Sequence, residues 1–256
     1  MKVGFAGAGN MAAAMARGWA GADGGPEEMV FCDVERGRAA ELADEVGGSV
    51  AEDLSSLAGQ AHLVVLAVKP AALDEVAAEL APAEPEALLS MLAATTLDQI
   101  AERFPGVPTI RVMPNQPVEV RRGVLCFVSG EDVPHEIERA IVELLELLGD
   151  VIAIDEPQTE AAMAVMSSSP AYLALVAEVI AETGVAEGLD PELSARLVRE
   201  TLAGTAELLR LRDPEDIRRR VASPGGATEA GLEALEEHAI AKAFEAAARA
   251  SLERFR

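Results

Sequence analysis

The chain has 256 residues, of which half are apolar and only 3% aromatic, so it is long enough for one large or two smaller domains with cores built mainly from Ala, Leu and Val. It carries 44 acidic residues against 21 basic ones, and the net charge of −23 argues against nucleic acid or an anionic membrane as a partner. Neither the two cysteines nor the three histidines have metal-ligand spacing, so we expect no metal site.

The first 155 residues alternate short apolar runs with helical patterns. Runs this apolar are typical of parallel strands that are buried on both faces of a sheet. The alternation predicts a doubly wound α/β (Rossmann) domain over residues 1–155. Its predicted strands lie at 2–6, 29–33, 62–68, 87–92, 109–113 and 124–128.

A glycine-rich loop follows the first predicted strand. The residues Gly7-Ala8-Gly9-Asn10-Met11-Ala12 fit the pattern G-x-G-x-x-G/A, and they stand between a strand and a helix, as a dinucleotide-binding loop does. The first glycine permits the tight turn, the second lets the backbone approach a pyrophosphate, and the small third residue permits close helix–strand packing. The helix N-terminus then offers free N–H groups to the phosphates.

The second predicted strand runs into Asp33. An acidic side chain at this place accepts a hydrogen bond from the ribose 2′-OH of NAD(H). Arg36 and Arg38 follow closely, and each is either a 2′-phosphate ligand or part of a solvated helix start. The sequence therefore favours NADH slightly and leaves NADPH open.

From residue 156 to 256 the pattern is helical, with breaks at SSSP, GLDP, RDPED and SPGG. Ser169-Pro170 and Asp190-Pro191 each predict a capping side chain followed by Pro at the first helical position. The helix that starts near Pro170 is apolar nearly all round, and such helices are normally buried. This part of the chain is too small to bury it alone, so we predict a helical oligomerisation domain.

The stretch SPGGAT, residues 223–228, stands directly before a helical pattern. By itself it fits either an ordinary capped helix start or a pocket for an anion, because the N–H groups at a helix N-terminus bind carboxylates and phosphates.

Four stretches together with the glycine loop resemble the pyrroline-5-carboxylate reductase family over the whole length and in the same order. They are AVKP at 67–70, RVMPNQPVEVRRGV at 111–124, AYLALVAEVIAETGVAEGL at 171–189 and SPGGATEAGLEALEE at 223–237. The last is the most specific, because it marks the family's substrate loop. The resemblance implies a Rossmann domain, an interlocking helical domain in a homodimer or larger homo-oligomer, NADH or NADPH as cofactor, and a small imine carboxylate as substrate.

The resemblance also implies roles for individual residues. Thr228 is the expected catalytic residue, its hydroxyl orienting the ring nitrogen of 1-pyrroline-5-carboxylate during reduction to L-proline. The expected substrate-binding residues are Ser223, Gly225, Gly226, Ala227 and Thr228. The expected cofactor-binding residues are Gly7, Gly9, Asn10, Met11, Ala12, Asp33, Ala67, Lys69, Pro70, Met113 and Asn115.

Two departures from the family pattern lie near the expected pocket. Met166-Ser167-Ser168-Ser169 stands where the family commonly has Ser-Gly-Ser, and Gln116 stands where Thr is usual. They leave two alternatives open: reduction of another cyclic imine carboxylate, or a non-catalytic NAD(P)-binding regulator. A β-hydroxyacid dehydrogenase is disfavoured, since its acid is a lysine of the helical domain and residues 156–241 contain none.

The N-terminus leads directly into the first predicted strand without a signal peptide, and we find no apolar run of the length that a membrane span needs. The predicted location is the cytoplasm, with no membrane partner.

Overall fold

Eight strands form one sheet in the order β3-β2-β1-β4-β5-β6-β7-β8. The computed structural model describes residues 1–255. All neighbouring strands are parallel except β6 and β7, which pair antiparallel. The strands are β1 Lys2–Ala6, β2 Glu28–Cys32, β3 Ser49–Val50, β4 Leu63–Leu66, β5 Leu88–Ser90, β6 Thr109–Pro114, β7 Gly123–Ser129 and β8 Gly149–Ala153.

Helices follow most of these strands and cover both faces of the sheet. They are α1 Asn10–Ala20, α2 Arg36–Val46, α3 Leu54–Gln60, α4 Leu73–Leu80, α5 Leu97–Ala101, α6 His135–Glu146 and α7 Thr159–Met166. One apolar core lies on each face, and every residue of β4 is buried between them. The predicted doubly wound domain is therefore confirmed; β3 and β8 are strands that the sequence did not indicate.

The switch in strand order fixes where a ligand can bind. The chain goes from β1 outward to β2 and β3, then returns to β4 on the other side of β1. In open α/β sheets the carboxyl ends of the strands at such a switch form the binding crevice. The loops after β1 and β4 are thus brought side by side.

Large side chains on one face hold α1 and α6 against the sheet. The Phe5 and Phe31 rings stack with centroids 5.0 Å apart, and the Phe5 and Trp19 centroids lie 5.9 Å apart. The buried Trp19 Nε1 donates to the Leu144 carbonyl at 2.8 Å, which satisfies its polar group inside the core. This packing fixes the axis of α1, whose N-terminus carries the glycine loop.

The chain separates into two compact units, Met1–Ser167 and Ser168–Glu253. The division lies beyond α7, so α7 packs within the first unit, whereas the predicted domain boundary precedes it at residue 155. The second unit is entirely helical: α8 Ser169–Ala186, α9 Pro191–Leu211, α10 Pro214–Val221, α11 Ala227–Glu237 and α12 Ile240–Phe255.

Of the two capping side chains predicted for helix starts in the second unit, one is present and one is not. The Asp190 carboxylate accepts from the N–H groups of Glu192 and Leu193 at 3.0 and 3.1 Å, as the Asp-Pro pair predicted. The prediction that Ser169 caps α8 is wrong, because Ser169 is already helical and Ser168 stands at the N-cap without a side-chain capping bond.

No residue of α8 is buried within the described chain. Its apolar side chains are about half exposed, with Leu173 at 56% and Ile180 at 50% of their full accessible surface. The helical stretch Glu156–Ala186 contains an 18-residue window with a mean hydropathy of 1.5, so by length and composition it could cross a bilayer. The prediction that no run reaches this length is therefore wrong.

Candidate active site

The loop between β1 and α1 has the geometry of a phosphate cradle. Gly7 has φ +101°, and its N–H donates to the Cys32 carbonyl at 2.7 Å. The first backbone bond of α1 runs from Ala13 N–H to the Gly9 carbonyl at 2.9 Å, so the preceding N–H groups of the helix remain available to an anion. Asn10 is exposed at the first helical position, and Ala12 is buried at the helix–strand contact.

The two glycines of this loop face different surroundings. A Cβ atom at Gly7 would lie 2.7 Å from the Ala67 carbonyl oxygen, whereas a Cβ atom at Gly9 would meet nothing within 4 Å. Gly7 is thus required by the fold, and Gly9 leaves open space at the positive end of α1. This combination fits the pyrophosphate of a dinucleotide.

Asp33 is bound directly to the glycine loop. Its Oδ2 accepts from Ala8 N–H at 2.7 Å, and its Oδ1 accepts from Glu35 N–H at 2.8 Å. The side chain is only 7% exposed. Two main-chain donors therefore fix the carboxylate beside the loop, where it can accept a ribose hydroxyl and would repel a 2′-phosphate.

The two nearby arginines have partners within the chain. Arg38 pairs with Glu35 at 2.7 Å and lies 3.8 Å from Asp33, while Arg36 Nη2 donates to the Glu52 carbonyl at 3.1 Å. Both would have to leave or share these partners to hold a 2′-phosphate.

We accordingly predict that kcat/KM with NADH is at least as high as with NADPH. The matched variant Asp33→Ser removes the fixed charge and is expected to shift the ratio toward NADPH. Steady-state rates at varied concentrations of NADH or NADPH, with the expected imine substrate at saturation, measure the two kcat/KM values. A large preference of the wild-type protein for NADPH would contradict the prediction and assign Arg36 or Arg38 to the phosphate.

The end of β4 lies against the glycine loop. Ala67 contributes the carbonyl that faces Gly7, and its N–H donates to the Ala6 carbonyl at 2.8 Å. Lys69 and Pro70 follow as exposed residues at the start of a short 3-10 helix. Of the predicted cofactor residues, the structure thus brings Gly7, Asp33 and Ala67 together around one loop.

Met113 and Asn115 lie at the end of β6 and are buried. Met113 packs with Cys126, Met163 and Met166 in a small cluster under α7. The Asn115 Oδ1 accepts from Val124 N–H at 2.9 Å, and its Nδ2 donates to the Met166 carbonyl at 3.1 Å. These bonds give Asn115 a connecting role between β6, β7 and the end of α7, which the sequence did not indicate.

A partly buried ion pair formed by this strand was not predicted either. Arg111 on β6 is 4% exposed, and its Nη1 donates to Glu156 Oε1 at 3.2 Å. The same oxygen accepts from Leu97 N–H at 2.8 Å, at the start of α5. Burial lowers the pKa of the Arg111 guanidinium and Glu156 opposes that shift. An arginine inside an apolar strand pattern is the signal that could have revealed this pair.

The stretch SPGGAT forms an exposed loop before α11 in the second unit. Gly225 has φ +72°, and Gly226, at the N-cap, donates its N–H to the Ser223 carbonyl at 2.9 Å. The first backbone bond of α11 runs from Ala230 N–H to the Gly226 carbonyl, so the N–H groups of Ala227 and Thr228 precede it and remain available. The Thr228 side chain is exposed beside them.

Tyr172, in the first turn of α8, has a packing role in this unit. Its ring meets Phe244 edge-on at 6.5 Å, and its hydroxyl donates to the Ala247 carbonyl at 3.3 Å.

Comparison with protein families gives two matches along the chain. A family model for pyrroline-5-carboxylate reductase dimerisation matches residues 156–256, and a model for NADP oxidoreductase, coenzyme F420-dependent, matches residues 2–94.

Curated relatives match over nearly the full length. The pyrroline-5-carboxylate reductase of Synechocystis sp. is 34% identical, covering 99% of this chain and 97% of the relative. That of Corynebacterium melassecola is 32% identical, covering 97% and 95%.

Solved structures match as well. The pyrroline carboxylate reductase of Plasmodium falciparum with NADP bound has a TM-score of 0.88 at 26% identity, covering 100% of this chain and 97% of that one. The 1-pyrroline-5-carboxylate reductase of Streptococcus pyogenes has a TM-score of 0.89 at 27% identity, covering 100% and 98%.

Proposed function

The chain belongs to the pyrroline-5-carboxylate reductase family, and we propose that it reduces 1-pyrroline-5-carboxylate to L-proline with NADH or NADPH. The observation that carries this proposal is the similarity to named reductases across both halves of the chain. Two structural features support the proposal: the glycine loop at the N-terminus of α1 and the SPGGAT loop at the N-terminus of α11.

Residues 1–155 are the proposed cofactor-binding domain, and residues 156–256 are the proposed substrate and oligomerisation domain. Gly7, Gly9 and the first-turn residues Asn10, Met11 and Ala12 hold the pyrophosphate, and Asp33 meets the adenosine ribose. When bound, the nicotinamide supplies the hydride for the C=N carbon. The strand end with Ala67, Lys69 and Pro70 lies beside the cofactor in this proposal, and Met113 and Asn115 lie near the nicotinamide.

The SPGGAT loop holds the substrate. Ser223 and the main-chain N–H groups from Gly225 to Thr228 receive the carboxylate, since the helix N-terminus concentrates donors and positive potential there. The Thr228 hydroxyl orients the ring nitrogen by a hydrogen bond. A protonated cyclic imine is already electrophilic, so this chain contributes mainly the positioning of the reacting carbons.

Mixing the protein with NADH or NADPH and the imine, and following the nicotinamide absorbance, tests the function. Cofactor-dependent formation of L-proline is expected. Binding of cofactor without turnover would favour a regulator of the same fold, and turnover of a different cyclic imine carboxylate alone would reassign the substrate.

The proposed assembly is a cytoplasmic homodimer or larger homo-oligomer. The apolar stretch Glu156–Ala186 lies within the region matched by the dimerisation model, so a subunit interface accounts for its exposed side chains better than a bilayer does. The net charge of −23 also disfavours contact with anionic lipid.

We expect sedimentation at micromolar concentration to give a dimer or larger species. Ile180→Glu, which places a charge on the half-exposed apolar face of α8, should weaken association strongly. Val120→Glu is the matched control, because Val120 is also exposed, at 68%, but lies in the first unit. A stable and active wild-type monomer would contradict the proposed assembly.

A further inference from the structure

The proposed substrate loop already carries a carboxylate from its own helix. Gly225 N–H donates to Glu229 Oε2 at 2.6 Å. Glu229 lies in the first turn of α11 and is half buried, so it reaches back over the helix start to the loop. A bond this short between an N–H group and an ionised acceptor belongs to the stronger class of hydrogen bonds.

This bond uses a donor that the substrate needs. The Gly226 N–H is bonded to the Ser223 carbonyl at 2.9 Å, which removes it from the set of available groups. With Gly225 engaged by the Glu229 side chain, the main-chain N–H groups of Ala227, Thr228 and Glu229 remain. The charge of Glu229 stands at the same helix start and repels a second carboxylate there.

We propose that Glu229 is a specificity-determining residue that competes, as an internal carboxylate, with the carboxylate of the substrate for the SPGGAT loop. The inference rests on the proposed function. Binding of the imine displaces Glu229 from Gly225, and Glu229 returns when the product leaves. The competition therefore weakens binding of both the imine carboxylate and L-proline, and it leaves the cofactor and the ring nitrogen untouched.

The opposite role is physically possible for the same contact. A glutamate in the first helical turn that accepts a hydrogen bond from the preceding loop stabilises the helix start. If that were its main effect, removing Glu229 would disorder the loop and weaken substrate binding. The two roles predict opposite signs for the change in KM.

The experiment compares Glu229→Gln, Glu229→Ala and the control Glu233→Gln in the full-length protein. Glutamine keeps an oxygen that can accept from Gly225 N–H but replaces the carboxylate by a neutral amide, whereas alanine removes both the oxygen and the charge. Glu233 is exposed one turn further along α11, so its variant changes the net charge equally at a distance from the loop. The cyclic imine 1-pyrroline, which lacks the carboxylate, serves as the probe for effects unrelated to charge.

We expect KM for 1-pyrroline-5-carboxylate to fall about three- to tenfold in Glu229→Gln and at least as far in Glu229→Ala. Each variant removes one partly exposed charge that competes with the substrate carboxylate, and the expected effect has the size of such an interaction. The inhibition constant for L-proline should fall in parallel. KM for the cofactor, KM for 1-pyrroline and all values for Glu233→Gln should stay at the wild-type level.

Wild-type turnover of the imine carboxylate tests the function itself, and its failure would remove the basis of this inference as well. With turnover established, an unchanged KM in both Glu229 variants overturns the competition. A raised KM also overturns it and assigns Glu229 to the helix cap. Thermal melting identifies a variant that folds poorly, and Glu229→Gln then decides, because glutamine has the size of glutamate and keeps one oxygen that can accept from Gly225 N–H.

Discussion

Thr228→Ala is expected to lower kcat/KM for the imine roughly 10- to 150-fold, the cost of about 1.5–3 kcal/mol for losing a hydrogen bond to a charged or reacting group. The hydroxyl is exposed at the start of α11 and forms no hydrogen bond within the described residues, so it is available to a ligand. Steady-state kinetics with varied imine at saturating cofactor measure the effect.

The controls separate catalysis from capping. Thr228→Ser retains the hydroxyl and should recover much of the activity. The N-cap of α11 is Gly226, so Thr228→Ala should leave the melting temperature nearly unchanged. Near wild-type kinetics in Thr228→Ala would show that SPGGAT only starts a helix, and a loss of stability alone would assign the hydroxyl to capping.

Gly7→Ala should lower the free energy of unfolding by about 2–5 kcal/mol, because it combines left-handed backbone strain with overpacking. The φ of +101° disfavours any side chain, and the new Cβ would lie 2.7 Å from the Ala67 carbonyl oxygen. Chemical denaturation measures the loss. An unfolding curve like that of the wild type would mean that the loop and the end of β4 can move apart.

Gly9→Ala is the matched substitution two residues away. Gly9 has φ −73°, and its Cβ would meet nothing within 4 Å. Because Gly9 is the N-cap of α1, where alanine is less favourable, the free energy of unfolding should fall by about 1 kcal/mol or less. The same Cβ would occupy the space through which a pyrophosphate approaches, so the affinity for the cofactor should fall about tenfold or more. A tenfold loss of affinity corresponds to about 1.4 kcal/mol of binding free energy. Wild-type affinity in Gly9→Ala would place the pyrophosphate elsewhere.

Local patterns predicted the parts of the fold whose causes are local. The glycine loop needs a strand before it and a helix after it, and both follow from short apolar and helical runs. Strand β3 was missed because it has only two residues. Strand β8 contains the apolar residues Val151, Ile152 and Ala153, but so short a run does not by itself distinguish a strand from other structure.

Contacts between distant residues could not be predicted from these patterns. The role of Asn115 depends on the Met166 carbonyl, and that of Arg111 depends on Glu156, which is 45 residues away in the sequence. The bond between Asp33 and Ala8 N–H similarly joins two loops that only the parallel pairing of β1 with β2 brings together. The sequence indicated Asn115 and Asp33 but not Arg111, and the partners of all three depend on tertiary structure.

The half-exposed apolar side chains of α8 also affect how the stability of this protein depends on its concentration. In a chain that buries this surface only against another subunit, the folding equilibrium of the helical unit includes an association step. Its midpoint of unfolding then depends on protomer concentration by mass action. Dilution and mutation can both destabilise this unit, so the stabilities of its variants are comparable only at equal protomer concentration.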